Sequence, residues 1–232
     1  MHTREQAPSH AGIDPKGAKN VAAARHPLTG VAPVFLLSPA SLSGVRGRRL
    51  LAGAGSAVVS MRIAAGERAP IGEVYASISS LYFRGKLAYA RRYGRQPHST
   101  GVRVITPDRG LCAADETVDL ADLRRMARTA IDEREPAYRD ALVASAEELH
   151  RTLPESALVV LLGSLATKKY LDPLSTVLGE RLCVPRAFIG LGDMSRGGLL
   201  LRAASEGPEL EYVRVSACID QTGMRARRRA SS

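Results

Sequence analysis

Three short polar segments, each following an apolar run, hold side chains that could do chemistry. They are Ser38-Pro39-Ala40-Ser41, Thr106-Pro107-Asp108-Arg109-Gly110, and Gly163-Ser164 leading to Thr167-Lys168-Lys169-Tyr170. Ser38 is a nucleophile only if a base lies beside it; no histidine offers itself for that role, and the other uses of Ser38 are helix capping or donation to a ligand. Asp108 and Arg109 put a carboxylate and a guanidinium at a strand end, suited to a polar heterocycle or sugar, or else to a plain turn closed by an ion pair. Lys168 and Lys169 fall in the first turn of a helix, where the macrodipole disfavours cations. A phosphate or carboxylate on the N–H groups after Gly163, with Ser164 beside it, would compensate; otherwise both lysines point into solvent.

Two further segments carry similar potential. Tyr82-Phe83-Arg84-Gly85-Lys86 joins an aromatic pair to two cations, a combination able to hold a phosphate beside a base stacked on Tyr82, or to form core aromatics with snorkelling cations. Asp193-Met194-Ser195-Arg196-Gly197-Gly198 reads as an anion-binding loop with a carboxylate for acid/base work, or as a simple turn. Asp108, Asp193 and Ser38 are thus the catalytic candidates. Tyr82, Arg84, Lys86, Arg109, Ser164, Lys168, Lys169, Tyr170, Ser195 and Arg196 are the substrate-binding ones.

Periodicity supplies the elements that must position these groups. Strand-length apolar runs at 34–37, 102–105 and 158–162 alternate with amphipathic stretches, and weaker strands follow at 182–184 and 211–215. Helical patterns cover 44–51, 72–93 with a break near Ser79-Ser80, about 119–128 capped by Asp119, 136–152 opened by Pro136, and a segment from about 166 that Pro173 ends or kinks. Tyr82, Lys86 and Tyr89 share one helical face. Residues 53–66 carry no clear pattern, and a long loop is expected after Gly110. The sum is an α/β fold, a single domain with a mixed, largely parallel central sheet flanked by helices. Ligands of such sheets bind outside the carboxyl ends of the strands, so the three polar loops line one crevice if their strands are parallel neighbours.

The chain has 232 residues, 45% of them hydrophobic, enough for one domain with a real core. Lys and Arg number 33 against 23 acidic residues, a formal charge of +10 that favours anionic partners. The expected domain is 31–220, between a disordered leader at 1–30 and a disordered basic tail at 221–232 with Arg225, Arg227, Arg228 and Arg229. Three widely spaced cysteines, Cys112, Cys183 and Cys218, argue against a disulfide framework and for a reducing, cytoplasmic setting. No CxxC, HxxxH or HExxH arrangement supplies a zinc site, and no apolar run approaches the roughly 20 residues of a membrane span. No cofactor is assigned by these residues. Arginine outnumbers lysine 28 to 5, which fits a GC-rich genome and a place in specialised metabolism.

The order of several pieces carries a resemblance: Ser38-Pro39-Ala40 after a strand, Gly72-Glu73-Val74-Tyr75, Asp108-Arg109-Gly110-Leu111, the segment 166–170, and Ser195-Arg196-Gly197-Gly198. Together they resemble the YaaA-like superfamily, with its Ser-Pro-Ala-Lys start, Ala-Ser-x-Glu-Tyr segment and late Ala-Arg-Gly stretch. More distantly the chain is similar to the carboxy-terminal region of archaeosine synthases, whose Ser-Pro-Leu-Gly loop compares with 106–111. Ser41 stands where the family has lysine, and Lys169-Tyr170 where it has Glu-Tyr. The resemblance implies an α/β fold with a basic cleft and a link to nucleobases or nucleic acid. The expected function is an enzyme acting on a nucleobase, nucleoside or nucleotide, free or within nucleic acid, in specialised metabolism or base modification. In it Lys168 and Arg196 hold an anion, Asp108 or Asp193 acts as acid/base, and Tyr82 or Tyr170 stacks on the base. The alternatives are a non-catalytic stress-response protein gripping DNA or RNA through Arg46–Arg49 and the tail, and a partner-binding domain whose loops are only turns.

Overall fold

Val34, Phe35, Leu36 and Leu37 are β-branched, aromatic or aliphatic without interruption, as a strand covered on both faces requires, and all four are buried in β1 (Val34–Leu37). The computed structural model describes residues 31–94, 101–165 and 167–218. The expected leader and basic tail, and Ala166, lie outside those residues. After β1 come α1 (Val45–Leu51), α2 (Val58–Ala64), β2 (Ala69–Pro70), α3 (Ile71–Ile78), α4 (Tyr82–Tyr93), β3 (Val102–Thr106), β4 (Gly110–Ala113) and β5 (Thr117–Val118). Then follow α5 (Leu120–Met126), α6 (Pro136–Thr152), β6 (Val159–Leu162), α7 (Lys168–Leu178), β7 (Leu182–Pro185), α8 (Asp193–Glu206) and β8 (Tyr212–Arg214).

Six strands form one mixed sheet in the order β4-β3-β1-β6-β7-β8. β3, β1, β6 and β7 run parallel, while β4 and β8 close the two edges antiparallel. β2 and β5 make a separate antiparallel pair. Strand alternation divides the core. Phe35, Leu37, Val104, Val160 and Leu162 face the layer containing α3, α4, α5 and α8, whereas Val34, Leu36, Ile105, Val159 and Leu161 face α6 and α7. Each fully buried aliphatic or aromatic side chain of this kind stabilises by roughly 1.5–3 kcal/mol. The domain is therefore α/β with a mostly parallel sheet between two helical layers. No helix among the described residues is long and apolar enough to cross a membrane.

Three local outcomes differ from the sequence expectations. The long loop expected after Gly110 begins as β4, hairpinned onto β3. Gly110 turns with φ +66°, and α6 passes so close that a Cβ there would lie 2.2 Å from the Ala141 carbonyl oxygen. The segment 193–198 is the start of α8 and not a loop. Its Gly197 faces α4, where a Cβ would sit 2.9 Å from Tyr82 Cα, while a Cβ on Gly85 would sit 2.6 Å from the Gly197 oxygen. The glycines there serve contact between two helix backbones. Finally, α7 runs through Pro173 without ending. Proline removes the N–H that would bond the Lys169 carbonyl, and Tyr138 Oη on α6 donates to that carbonyl instead, at 2.9 Å. Residues 53–66, unassigned by pattern, contain the short α2.

Other elements follow local signals. Asp119 caps α5, accepting from the Asp122 N–H, and the Asp122 carboxylate accepts from the Asp119 N–H in return. Pro136 opens α6, and Ser79-Ser80 separates α3 from α4.

Two stability measurements check this account. Gly197→Ala should destabilise by on the order of 2 kcal/mol in urea unfolding, because α4 must retreat. Tyr138→Phe, which orphans the Lys169 carbonyl, should lose about 1–2 kcal/mol; an unchanged midpoint would remove the account of Pro173.

Candidate active site

The chain leaves β1 toward β3 on one side, and β6 continues to β7 on the other, so connections diverge at the β1/β6 boundary. Ser38 is the first residue past β1, and its N–H bonds the Leu162 carbonyl at 3.2 Å, extending the pairing by one rung. Gly163 follows β6 at this point, and a Cβ on it would come 3.2 Å from Ser38 Cβ. Two chains thus separate side by side. A cavity of about 630 Å³ opens over them, walled by Ser38, Tyr82, Lys86, Lys169, Tyr170 and Asp193 among others.

Lys86 is the unusual member. It lies on the inward face of α4 and is only 2% exposed. Its Nζ donates to the Ser38 carbonyl at 2.5 Å and to Ser38 Oγ at 2.9 Å. The Tyr82 ring is 4.3 Å away and the Phe83 ring 5.1 Å, so two aromatic faces share the amine. Burial lowers its pKa to about 7, and Asp193 across the pocket pulls in the opposite direction. Ser38 Oγ in turn donates to the Leu162 carbonyl at 3.4 Å, a long bond that leaves the hydroxyl weakly held. A hydroxyl and an amine at this separation can exchange a proton.

The surrounding groups set the electrostatics. Arg46, at the start of α1, lines the pocket while donating to the Ser79 carbonyl at 3.0 Å. Lys169 also lines it, with Nζ 5.2 Å from the Tyr170 ring centroid. Against these cations stands Asp193, the one carboxylate of the lining, and itself mostly exposed. Burial pushes the Tyr82 phenol up to about 12, with the Arg196 guanidinium working against the rise; burial also raises Tyr170. Both phenols are neutral donors at ordinary pH. Among the described residues no group of three His, Cys, Asp or Glu side chains is gathered that could hold a metal ion.

The structure brings Ser38, Tyr82, Lys86, Ser164, Lys169, Tyr170 and Asp193 to one cavity. The other predicted residues sit elsewhere. Asp108 pairs with Arg125 at 2.8 Å, and Arg109 with Asp122 at 2.5 Å, in a charge network at the β3–β4 turn that lines neither cavity. Because β3 turns back into an edge hairpin, its loop carries these groups away from the β1/β6 boundary. Arg84, Lys168 and Ser195 are exposed and line neither cavity. Arg196 is buried behind the wall, donating to the Phe188 carbonyl at 3.0 Å and pairing with Asp193 at 3.3 Å. Its role is to hold the start of α8. Sequence reasoning missed Lys86 as the group beside Ser38, although a lysine on the face shared with Tyr82 and Tyr89 was the available signal. Arg46 as a pocket residue was also missed, and nothing in its local sequence marks it. A second cavity of about 440 Å³ adjoins the first and shares the Pro39–Ser41 and Lys169–Tyr170 walls.

Fold and site together define an α/β protein with an open pocket at the topological switch point of its sheet. No protein-family model, no curated protein and no solved structure matches this chain.

The Lys86 shift has a measurable consequence. Unfolding returns the amine to its ordinary value of 10.5, so between pH about 7 and 10.5 the unfolded chain holds a proton the folded chain has released. Stability from this group therefore rises with pH across that window. Lys86→Met should be more stable than wild type at pH 6, and that advantage should shrink by about 2–3 kcal/mol at pH 9 in denaturant titrations. A difference that does not vary with pH would mean Lys86 keeps its ordinary proton affinity.

Proposed function

We propose that the protein is an enzyme acting on a nucleobase, nucleoside or nucleotide, free or as a unit of nucleic acid, bound in the β1/β6 pocket. The observation that carries this reading is the lining: Arg46 and Lys169 against the single carboxylate of Asp193, beside the rings of Tyr82 and Tyr170. Cations suit a phosphate or another anion, the rings suit a heterocycle, and about 630 Å³ accommodates a ligand of nucleotide size. The YaaA-like resemblance of the Ser38-Pro39-Ala40 turn and of Tyr170 points the same way, since both stand in this lining. In this reading Arg46 and Lys169 hold the anion in place of Lys168 and Arg196, and Asp193 is the remaining acid/base carboxylate. A cytoplasmic location belongs to the same reading, supported by the three free thiols Cys112, Cys183 and Cys218.

Binding of DNA through Arg46–Arg49 draws less support. Arg46 donates to the Ser79 carbonyl and Arg48 to the Ser43 carbonyl, which leaves α1 with Arg49 as its uncommitted cation among the described residues. Arg225 to Arg229 lie outside those residues.

A thermal-shift screen with nucleobases, nucleosides, nucleotides and a short DNA duplex, each at low and high salt, tests the proposal. A nucleotide at about 100-fold over its Kd should stabilise by roughly 2.7 kcal/mol, and Arg46→Ala with Lys169→Ala should abolish the shift. A shift with DNA alone that disappears in high salt would instead favour the binder.

A further inference from the structure

Ser38 and Lys86 form a pair that the binding role leaves unexplained. A cation meant to grip a ligand belongs where solvent and ligand can reach it, as the exposed Arg46 and half-buried Lys169 do. Lys86 is instead withdrawn to 2% exposure, stacked on Tyr82 and held by the Ser38 carbonyl. Its nitrogen donates to the Ser38 hydroxyl at 2.9 Å, and since that hydroxyl holds the Leu162 carbonyl only at 3.4 Å, it can turn its proton to the nitrogen once the amine is neutral; both groups border the same cavity. A nucleophile in hydrogen-bond reach of a base, with the base oriented by a third group, is the arrangement of covalent catalysis, and lysine serves as such a base in serine–lysine pairs.

We propose that Ser38 Oγ is a nucleophile and Lys86 Nζ its general base, and that the protein transfers or hydrolyses the acyl group of an amide or ester whose other end carries an anion. This rests on the pocket being an active site, but not on the ligand being a nucleotide. Ser38 Oγ attacks the carbonyl carbon as its proton passes to Nζ, and the carbonyl oxygen takes up the electron pair. Collapse of the tetrahedral intermediate breaks the bond to the leaving amine or alcohol, which takes the proton back from the Lys86 ammonium. Water then attacks the acyl-Ser38 ester, giving its proton to Nζ, and the carboxylic acid departs as Ser38 recovers its proton.

The electrophile is a neutral carbonyl rather than a phosphoryl group for an electrostatic reason. A phosphate beside Ser38 would hold Lys86 as the ammonium and remove the base. The rings of Tyr82 and Phe83 lie against the amine of the pair, which favours an uncharged group there. The other titratable or charged groups facing the cavity are Arg46 from α1, Lys169 and Tyr170 from α7, and Asp193 from α8. Burial keeps the amine neutral, Arg46 and Lys169 take the substrate's anionic end, and Asp193 eases the passing charge on Lys86. Free Lys86 carries its proton below about pH 7 and loses it above, so reactivity of Ser38 rises with pH through that point and then levels off.

The test is labelling by an alkyl fluorophosphonate, which reacts with activated serines and expels fluoride, read by intact mass and peptide mapping. Wild type should gain one phosphonyl group on Ser38, at a rate that climbs through about pH 7. Lys86→Met and Lys86→Arg should label at least about 100-fold more slowly. The arginine variant restores the cation but not a base, so wild-type labelling in Lys86→Arg would reduce Lys86 to a structural role and overturn the proposal. So would a flat pH profile in wild type, an absent adduct on the folded protein, or an adduct on any other residue. Should Lys86→Arg fail to fold in so buried a position, Lys86→Met and the wild-type pH profile still decide. Ser38 labelling without any nucleotide shift in wild type would remove the nucleotide reading alone, and a nucleotide shift with inert Ser38 would remove this inference alone.

Discussion

The contact on which the site depends is the one between the backbones of α4 and α8 at Gly85 and Gly197. Neither position has room for a Cβ, so the two helices meet with nothing between them. That approach seats α4 over the end of β1 and brings the next residue, Lys86, to Ser38. It also fixes the start of α8, with Asp193 at the pocket edge and Arg196 bonded behind it. A lysine that deep is held against a desolvation cost of several kcal/mol, and packing of the helices is what sustains it.

The sheet order supplies the second condition. Parallel strands β1 and β6 are neighbours whose continuations part in opposite directions, which opens space above their carboxyl ends. Uniform burial on both faces makes these strands rigid, so Ser38 and Gly163 leave the sheet from a fixed frame. The chemistry is thus mounted on the short turns that leave these strands, with the start of α1 added to the wall.

Much of this frame was legible in the sequence. The runs 34–37 and 158–162 are apolar at every position, and Asp119, Pro136 and the Ser79-Ser80 break act within a few residues of themselves, where local chemistry suffices. What could not be read were effects of elements far apart in the chain. Glycines at 197 and 198 suggest a loop until α4 is known to press against them. Pro173 suggests a helix end until Tyr138 is known to reach the orphaned carbonyl. Ser38 had no visible base because its partner is 48 residues away on a helix. Asp108 and Arg109 looked like site residues because the sequence of a strand-end turn does not reveal that its strand doubles back at the sheet's edge.

The Tyr138 hydroxyl bond gives the pocket an unexpected mechanical dependence. Lys169, whose carbonyl it holds, belongs with Tyr170 and Pro39–Ser41 to the wall that the two cavities share. That wall is therefore tied by a hydrogen bond to α6, a helix that lines neither chamber. The boundary between the chambers is thus moored from outside both of them, through a side chain that touches neither Ser38 nor Lys86.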